Sequence, residues 1–290
     1  MSRRTVILNF DDAAGEFADA DVLQLQSFQE QIRFGCGWRQ FLGFERWLAP
    51  KLPARPGVVF TGSGDYHHLS WLLLRRLPEQ QPVQLIVCDN HPDNMRYPFG
   101  IHCGSWVYWA SRLPQVAAIH VIGISSGDIG ARHAWENHWR PLIGGKLTYW
   151  SVQQPARWTR LTGRRDAARD FPDAESLLEA LSAHIGVMPV YLSIDKDVLS
   201  PEVVSTNWDQ GTFREEDLLT LIARCRGWLA AADITGDVSL WHYRSRFKRL
   251  LSEADGQQIP DAAELHAWQQ RQQALNQRLL AALNGAWMPE

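Results

Sequence analysis

Two short stretches of this chain bring carboxylates and an imidazole close enough together to hold divalent cations. The first is Asp89-Asn90-His91-Pro92-Asp93, which closes the apolar run Val83-Gln84-Leu85-Ile86-Val87-Cys88. The run reads as a buried strand. Acid, imidazole and acid at alternate positions at its end are expected to face one side. The second is Tyr191-Leu192-Ser193-Ile194-Asp195-Lys196-Asp197, again an apolar run that ends in acids at alternate positions. Either stretch alone is compatible with a polar turn, or with a cap in which Lys196 is a solvated charge or a partner for one acid. Both together, at two expected strand C-termini, point to a two-metal site. Asp89, Asp93, Asp195 and Asp197 supply four carboxylates. Four negative charges balance two divalent cations, so a bridging hydroxide leaves no large uncompensated buried charge. Oxygen-rich ligands with one or two imidazoles suit Mn²⁺. Two metals that share a water lower its pKa and create a nucleophile at neutral pH, so the expected chemistry is metal-assisted hydrolysis. A further imidazole is available in Gly62-Ser63-Gly64-Asp65-Tyr66-His67-His68, after the apolar run Val58–Thr61. Both His67 and His68 are candidates there.

Such residues need strands that end side by side. Strands are expected at Val6–Phe10, Val58–Thr61, Val83–Asp89, Ala118–Ile124, Leu147–Val152, Val190–Asp195 and Leu229–Ile234. Several are apolar on both faces, as in a covered parallel sheet. Helices are expected at Asp21–Phe34, His68–Arg76, Gly104–Ser111, Asp173–Gly186 and Arg214–Gly227, with Asp173 or Ser176 as a cap and Gly186 as a stop. The alternation predicts an α/β fold, a three-layer α-β-α sandwich with a mostly parallel central sheet. Ligands in such folds collect at the carboxyl ends of the strands, where the acids fall. The Arg-rich stretch Gln154–Asp170 reads as an exposed loop. Residues 261–290, with Leu265, Trp268, Leu275, Leu279 and Leu283 at helical spacing, read as an amphipathic helix. It is expected to pack on the body or on a neighbouring subunit, inside a single domain over 1–290.

Bulk properties narrow the function classes. A hydrophobic content of 45% and a charged content of 21% are those of an ordinary globular protein. A net charge of −3 argues against a nucleic-acid partner. No apolar run is long enough for a signal-peptide core or a membrane span. The cysteines Cys36, Cys88, Cys103 and Cys225 are scattered without CxxC spacing and read as reduced thiols, so a cytoplasmic location is expected.

The motifs resemble those of the arginase/agmatinase ureohydrolases. Asp89-Asn90-His91-Pro92-Asp93 is similar to their Asp-x-His-x-Asp motif, and Ser193-Ile194-Asp195-Lys196-Asp197 to their Ser-x-Asp-x-Asp motif. Gly64-Asp65-Tyr66-His67 resembles their Gly-Gly-Asp-His with one residue inserted. Phe99-Gly100-Ile101-His102-Cys103-Gly104 resembles the segment that carries a proton-transfer histidine. The resemblance implies His67, Asp89, His91, Asp93, Asp195 and Asp197 as ligands of two Mn²⁺ per subunit. It also implies His102 as a proton shuttle and a homo-oligomeric assembly. The chain departs from the family where that family carries a glutamate for the substrate guanidinium. Here the stretch reads Asp233-Ile234-Thr235-Gly236-Asp237, with Asp237 as a displaced substitute. Arginine and agmatine are therefore expected to be poor substrates. Asn207, Trp208 and Asp209 are expected to form a specificity wall, with Asn207, Asp209 and Asp237 as substrate contacts. The expected activity is hydrolysis of a C–N bond in a small guanidine, amidine or amide. The alternatives are a deacetylase-like zinc amidohydrolase and a non-catalytic, metal-stabilised binding protein.

Overall fold

The computed structural model describes residues 3–289. Met1, Ser2 and Glu290, the last residue of the expected tail helix, lie outside the described residues. In chain order the strands are β1 (Thr5–Asn9), β2 (Ala20–Gln24), β3 (Gly35–Cys36), β4 (Val58–Gly62), β5 (Val83–Cys88), β6 (Ile101–His102), β7 (Val116–Ile124), β8 (Leu147–Val152), β9 (Ala168–Phe171), β10 (Val190–Asp195) and β11 (Leu229–Thr235). Among the described residues nine of them form one sheet in the order β2-β1-β4-β11-β10-β5-β7-β8-β9. Every pairing in it is parallel. β3 and β6 form a separate antiparallel pair.

The central strands β5 and β10 are buried at every position, which explains their largely apolar runs. Their two faces pack against different helices. Phe41, Phe44 and Leu48 from helix Trp38–Leu48 join Trp71 and Trp106 on one side. Leu177, Leu181, Leu218, Leu221, Leu275, Leu279 and Leu283, from helices Ala174–Leu181, Glu215–Arg224 and Ala262–Asn284, fill the other. The result is the expected three-layer sandwich. The last helix packs on this body, and Asp261 caps it by accepting from the Ala263 N–H at 2.9 Å. No helix of the described residues is long and apolar enough to cross a membrane.

Several expectations fail at the sheet edges. The helix expected at Asp21–Phe34 is instead β2 followed by short turns, because Ala20–Gln24 pairs in register along the whole of β1. Long-range pairing there outweighs local helical spacing. The loop expected at Gln154–Asp170 contains a 3-10 turn over Arg157–Thr162 and runs into β9. β9 reads Ala-Arg-Asp-Phe and is largely exposed, so it carries no apolar signal. Helices Trp38–Leu48 and Arg246–Ala254 were not among the expected elements.

Candidate metal centre

β4, β10 and β5 all deliver polar residues at their carboxyl ends. After β4 the chain enters a 3-10 turn, Gly64–Leu69, capped by Ser63, whose hydroxyl accepts from the Asp65 N–H. This turn carries His67 inward. Gly64 passes so close beneath the site that a Cβ would sit 3.1 Å from Trp208 Cδ1 and 3.2 Å from Asp195 Oδ2. After β5 the chain leaves the strand at Cys88, so strand alternation is not what aligns Asp89, His91 and Asp93. A turn does it instead, with Asp93 in the left-handed region at φ +45. Asp93 is held there by Trp106, whose Nε1–H donates to Oδ2 at 2.6 Å. After β10, Asp195 caps a 3-10 turn by accepting from the Asp197 N–H at 3.1 Å. That turn brings Asp197 round beside Asp195.

The six residues meet in one place. His67 Nδ1 lies 3.1 Å from Asp89 Oδ2, 2.9 Å from Asp93 Oδ2 and 3.4 Å from Asp195 Oδ2. His91 Nδ1 lies 2.9 Å from Asp197 Oδ2 and 3.4 Å from Asp89 Oδ1. Two ligand groups result, His67-Asp89-Asp93 and Asp89-His91-Asp197, and Asp89 belongs to both through its two oxygens. His68 stands apart. It is buried against Phe41, with neither ring nitrogen hydrogen-bonded.

Both inward histidines are oriented from behind. His67 Nε2 lies 3.0 Å from Ser193 Oγ, which donates to Asp233 Oδ1 at 2.6 Å. Asp233 also accepts from Ser70 and Tyr191. With Ser193 committed as a donor to Asp233, His67 carries its proton on Nε2 and turns a lone pair on Nδ1 into the site. His67 Nδ1 and Asp89 Oδ2 then face one another as buried acceptors without a hydrogen-bond partner. Such a pair is costly unless a cation lies between. The carboxyls respond to the same crowding. Burial, with the field of Asp89, pushes Asp93 and Asp197 up to about 7. Burial and Asp197 push Asp195 well up. Burial would raise Asp89 too, but the imidazoles of His67 and His91 beside it hold it below the usual carboxylate range.

The other expected site residues divide. His102 lines the cavity, and its Nδ1 accepts from the Gly104 N–H at 2.9 Å, which leaves the ring proton on Nε2. Nε2 lies 3.8 Å from Asp255 Oδ2, and burial pulls the imidazole down to about 4. Asp209 lines the cavity but is engaged by His91, with Oδ1 2.8 Å from Nε2, and by Asn90. It orients a histidine and is not a free substrate contact. Asn207 is buried away from the cavity. It donates to the backbone oxygens of Ser239 and Gln258 and accepts from the Ser239 N–H. Asp237 is likewise turned away, held by Lys196 and Asn276. Lys196 is fully buried, not solvated. Asn207 and Asp237 therefore do not face the cavity as expected, because buried backbone and an ammonium group claim their polar atoms. The sequence reading passed over Asp233, although an acid inside the apolar run of β11 was a usable signal. It also passed over the Arg33–Asp65 pair, with Nε and Oδ2 2.5 Å apart, which anchors the His67 turn.

No family model matches this chain. An uncharacterized protein from Thermotoga maritima is 29% identical over 171 residues, which is 59% of this chain and 53% of that protein. The match thus spans about half the length of that relative. Among solved structures, an arginase from Bacillus subtilis superposes with a TM-score of 0.58 at 14% identity, covering 99% of this chain and 100% of that one. Proclavaminate amidino hydrolase from Streptomyces clavuligerus gives 0.54 at 15% identity, covering 96% and 92%. The agmatine ureohydrolase of Thermoplasma volcanium gives 0.54 at 14% identity, covering 98% and 90%. These likenesses show that the chain has the fold of the arginase/agmatinase ureohydrolases, in a divergent sequence.

Proposed function

We propose that this chain is a two-metal hydrolase that cleaves a C–N bond in a small amidine, guanidine or amide, with Mn²⁺ as the metal. One observation carries the reading. Asp89 is shared by two three-residue ligand groups, and its Oδ2 faces His67 Nδ1 with neither atom hydrogen-bonded. The donor set is oxygen-rich with two imidazoles, which suits Mn²⁺. His67, Asp93 and Asp195 would hold one ion, and His91 and Asp197 the other, with Asp89 between them. Two divalent cations held there lower the pKa of a water and polarise the carbon under attack. Ser193 and Asp209 keep the two histidines in the tautomer that presents Nδ1. His102, neutral in its buried setting, would orient a departing amine by a hydrogen bond from Nε2–H at the cavity wall.

Metal analysis of protein dialysed against Mn²⁺ tests the reading. Two ions per chain are expected, with ammonia or amine release from small amide and amidine substrates. Asp89→Asn should remove at least one ion and abolish release. A chain that takes up no Mn²⁺ would overturn the proposal. A single bound ion that is not lost in Asp89→Asn would do the same.

A further inference from the structure

The cavity above this centre carries its charge in two tiers. At the floor, the acids are those of the metal-ligand set, with Asp209 bracing a histidine. Asp89, Asp93, Asp195 and Asp197 face the two histidines and one another, and Asp209 gives its oxygens to His91 and Asn90. A guanidinium or amidinium at the reacting position needs a carboxylate with free oxygens. Gly236 cannot be replaced by one. It has φ +85, and a Cβ there would sit 2.3 Å from Asp195 Oδ1 and 2.6 Å from the Lys196 nitrogen. An uncharged planar amide needs no such partner.

At the mouth none of the acids pairs with a lysine or an arginine among the described residues, although Glu136 faces His133 and Asp255 faces His102. Asp128 comes from the turn Gly127–Ile129, Glu136 from the segment before helix Trp139–Ile143, and Asp255 from the end of helix Arg246–Ala254. All three line the same cavity of about 350 Å³. They lie near enough to feel one another, since burial and the fields of Asp128 and Glu136 push the Asp255 carboxyl up to about 6. His133 pairs with Glu136 at 3.1 Å, but among the described residues lining the cavity there is no lysine and no arginine. A substrate carboxylate would meet three acids there, beside His133 and Asn137. Trp208 and Met95 add apolar surface to the cavity lining. The buried, unpartnered His67 Nδ1 and Asp89 Oδ2 fix the floor as the reacting end.

Resting on the hydrolase reading, we infer that the substrate is an uncharged amide joined by an alkyl spacer to an ammonium group, which Asp128, Glu136 and Asp255 hold at the mouth. Hydrolysis balances without a further reactant. Water adds its oxygen to the carbonyl carbon, the C–N bond breaks, and a carboxylate and a protonated amine leave. The amine product carries two positive charges.

Three probes of equal length separate the possibilities: N-acetyl-1,4-diaminobutane (cationic), N-pentylacetamide (neutral) and N-acetyl-4-aminobutanoate (anionic). Calorimetric binding to the Mn²⁺-treated protein should favour the cationic probe over the neutral one by at least about tenfold. The preference should shrink severalfold in the Asp128→Asn/Glu136→Gln double variant, with metal content unchanged. Glu136→Lys alone should shift preference toward the anionic probe. Equal binding of the three probes, no binding of any, or a preference untouched by the double variant would each overturn the proposal while leaving a two-metal centre standing. A chain that prefers the cationic probe yet binds no metal would overturn the hydrolase reading and, with it, the amide half of this inference.

Discussion

His67 and His91 turn their Nδ1 atoms inward because each Nε2 is engaged behind, by Ser193 and by Asp209. Ser193→Ala should therefore weaken Mn²⁺ binding by about 10–100-fold without unfolding the chain, as a metal titration paired with circular dichroism would show. Residue-scale electrostatics also act far from the centre. His120 is buried on β7, and its Nδ1 accepts from Trp150 Nε1–H at 3.1 Å. Burial, with His184 and Arg169 nearby, pulls it from 6.5 down to about 4. A histidine lowered in the folded state leaves the unfolded chain to take up the proton first. Its contribution is thus intact above about 6.5 and is lost as pH falls toward about 4, to an extent of about 3 kcal/mol. Urea denaturation should show His120→Gln losing less stability than the parent chain between pH 7 and 4.5. Much of the centre was legible at this scale, because acids and imidazoles closing apolar runs are rare enough to notice. The directions of the side chains were not. Asp93 reaches the site through a left-handed turn, and Asp237 points into a buried ion pair, and neither follows from spacing.

The last helix is more than a cover for one face of the sheet. Asn276, at its middle, hydrogen-bonds both Lys196 and Asp237, and Gln272 donates to the backbone oxygens of Ser205 and Gly236. It therefore braces the loop that carries Asp195 and Asp197. Asp237→Ala would strand a fully buried ammonium group and should cost about 3–5 kcal/mol in the metal-free protein. Lys196→Met/Asp237→Leu should cost clearly less, since it removes both charges, and chemical denaturation of the two variants side by side checks the order. Central strands were readable because burial on both faces leaves a largely apolar run, as in β5 and β10. Edge strands were not. β2 and β9 are short, mix polar with apolar residues and have no fully buried position, and only their partners make them strands.

For the whole molecule we propose a homo-oligomer, in line with the resemblance of its motifs. Light scattering should give a multiple of the 33.1 kDa chain mass, and a monomer mass at micromolar concentration would contradict this. Large apolar side chains left exposed, among them Phe99, Trp135, Phe247 and Leu250, supply surface for such contacts. The sheet order has a further consequence, and it concerns time. β4, β11, β10 and β5 lie side by side, yet β4 and β5 precede β10 and β11 by more than a hundred residues. These are non-local pairings, the kind that close late and slowly. Asp89 and Asp197 do not share a neighbourhood until β10 has docked against β5. Asp195 and Asp197, two of the six binding groups, are therefore absent from any early folded fragment. A nascent chain cannot collect its cations piecemeal, and metal capture becomes a report that the long-range topology is already complete.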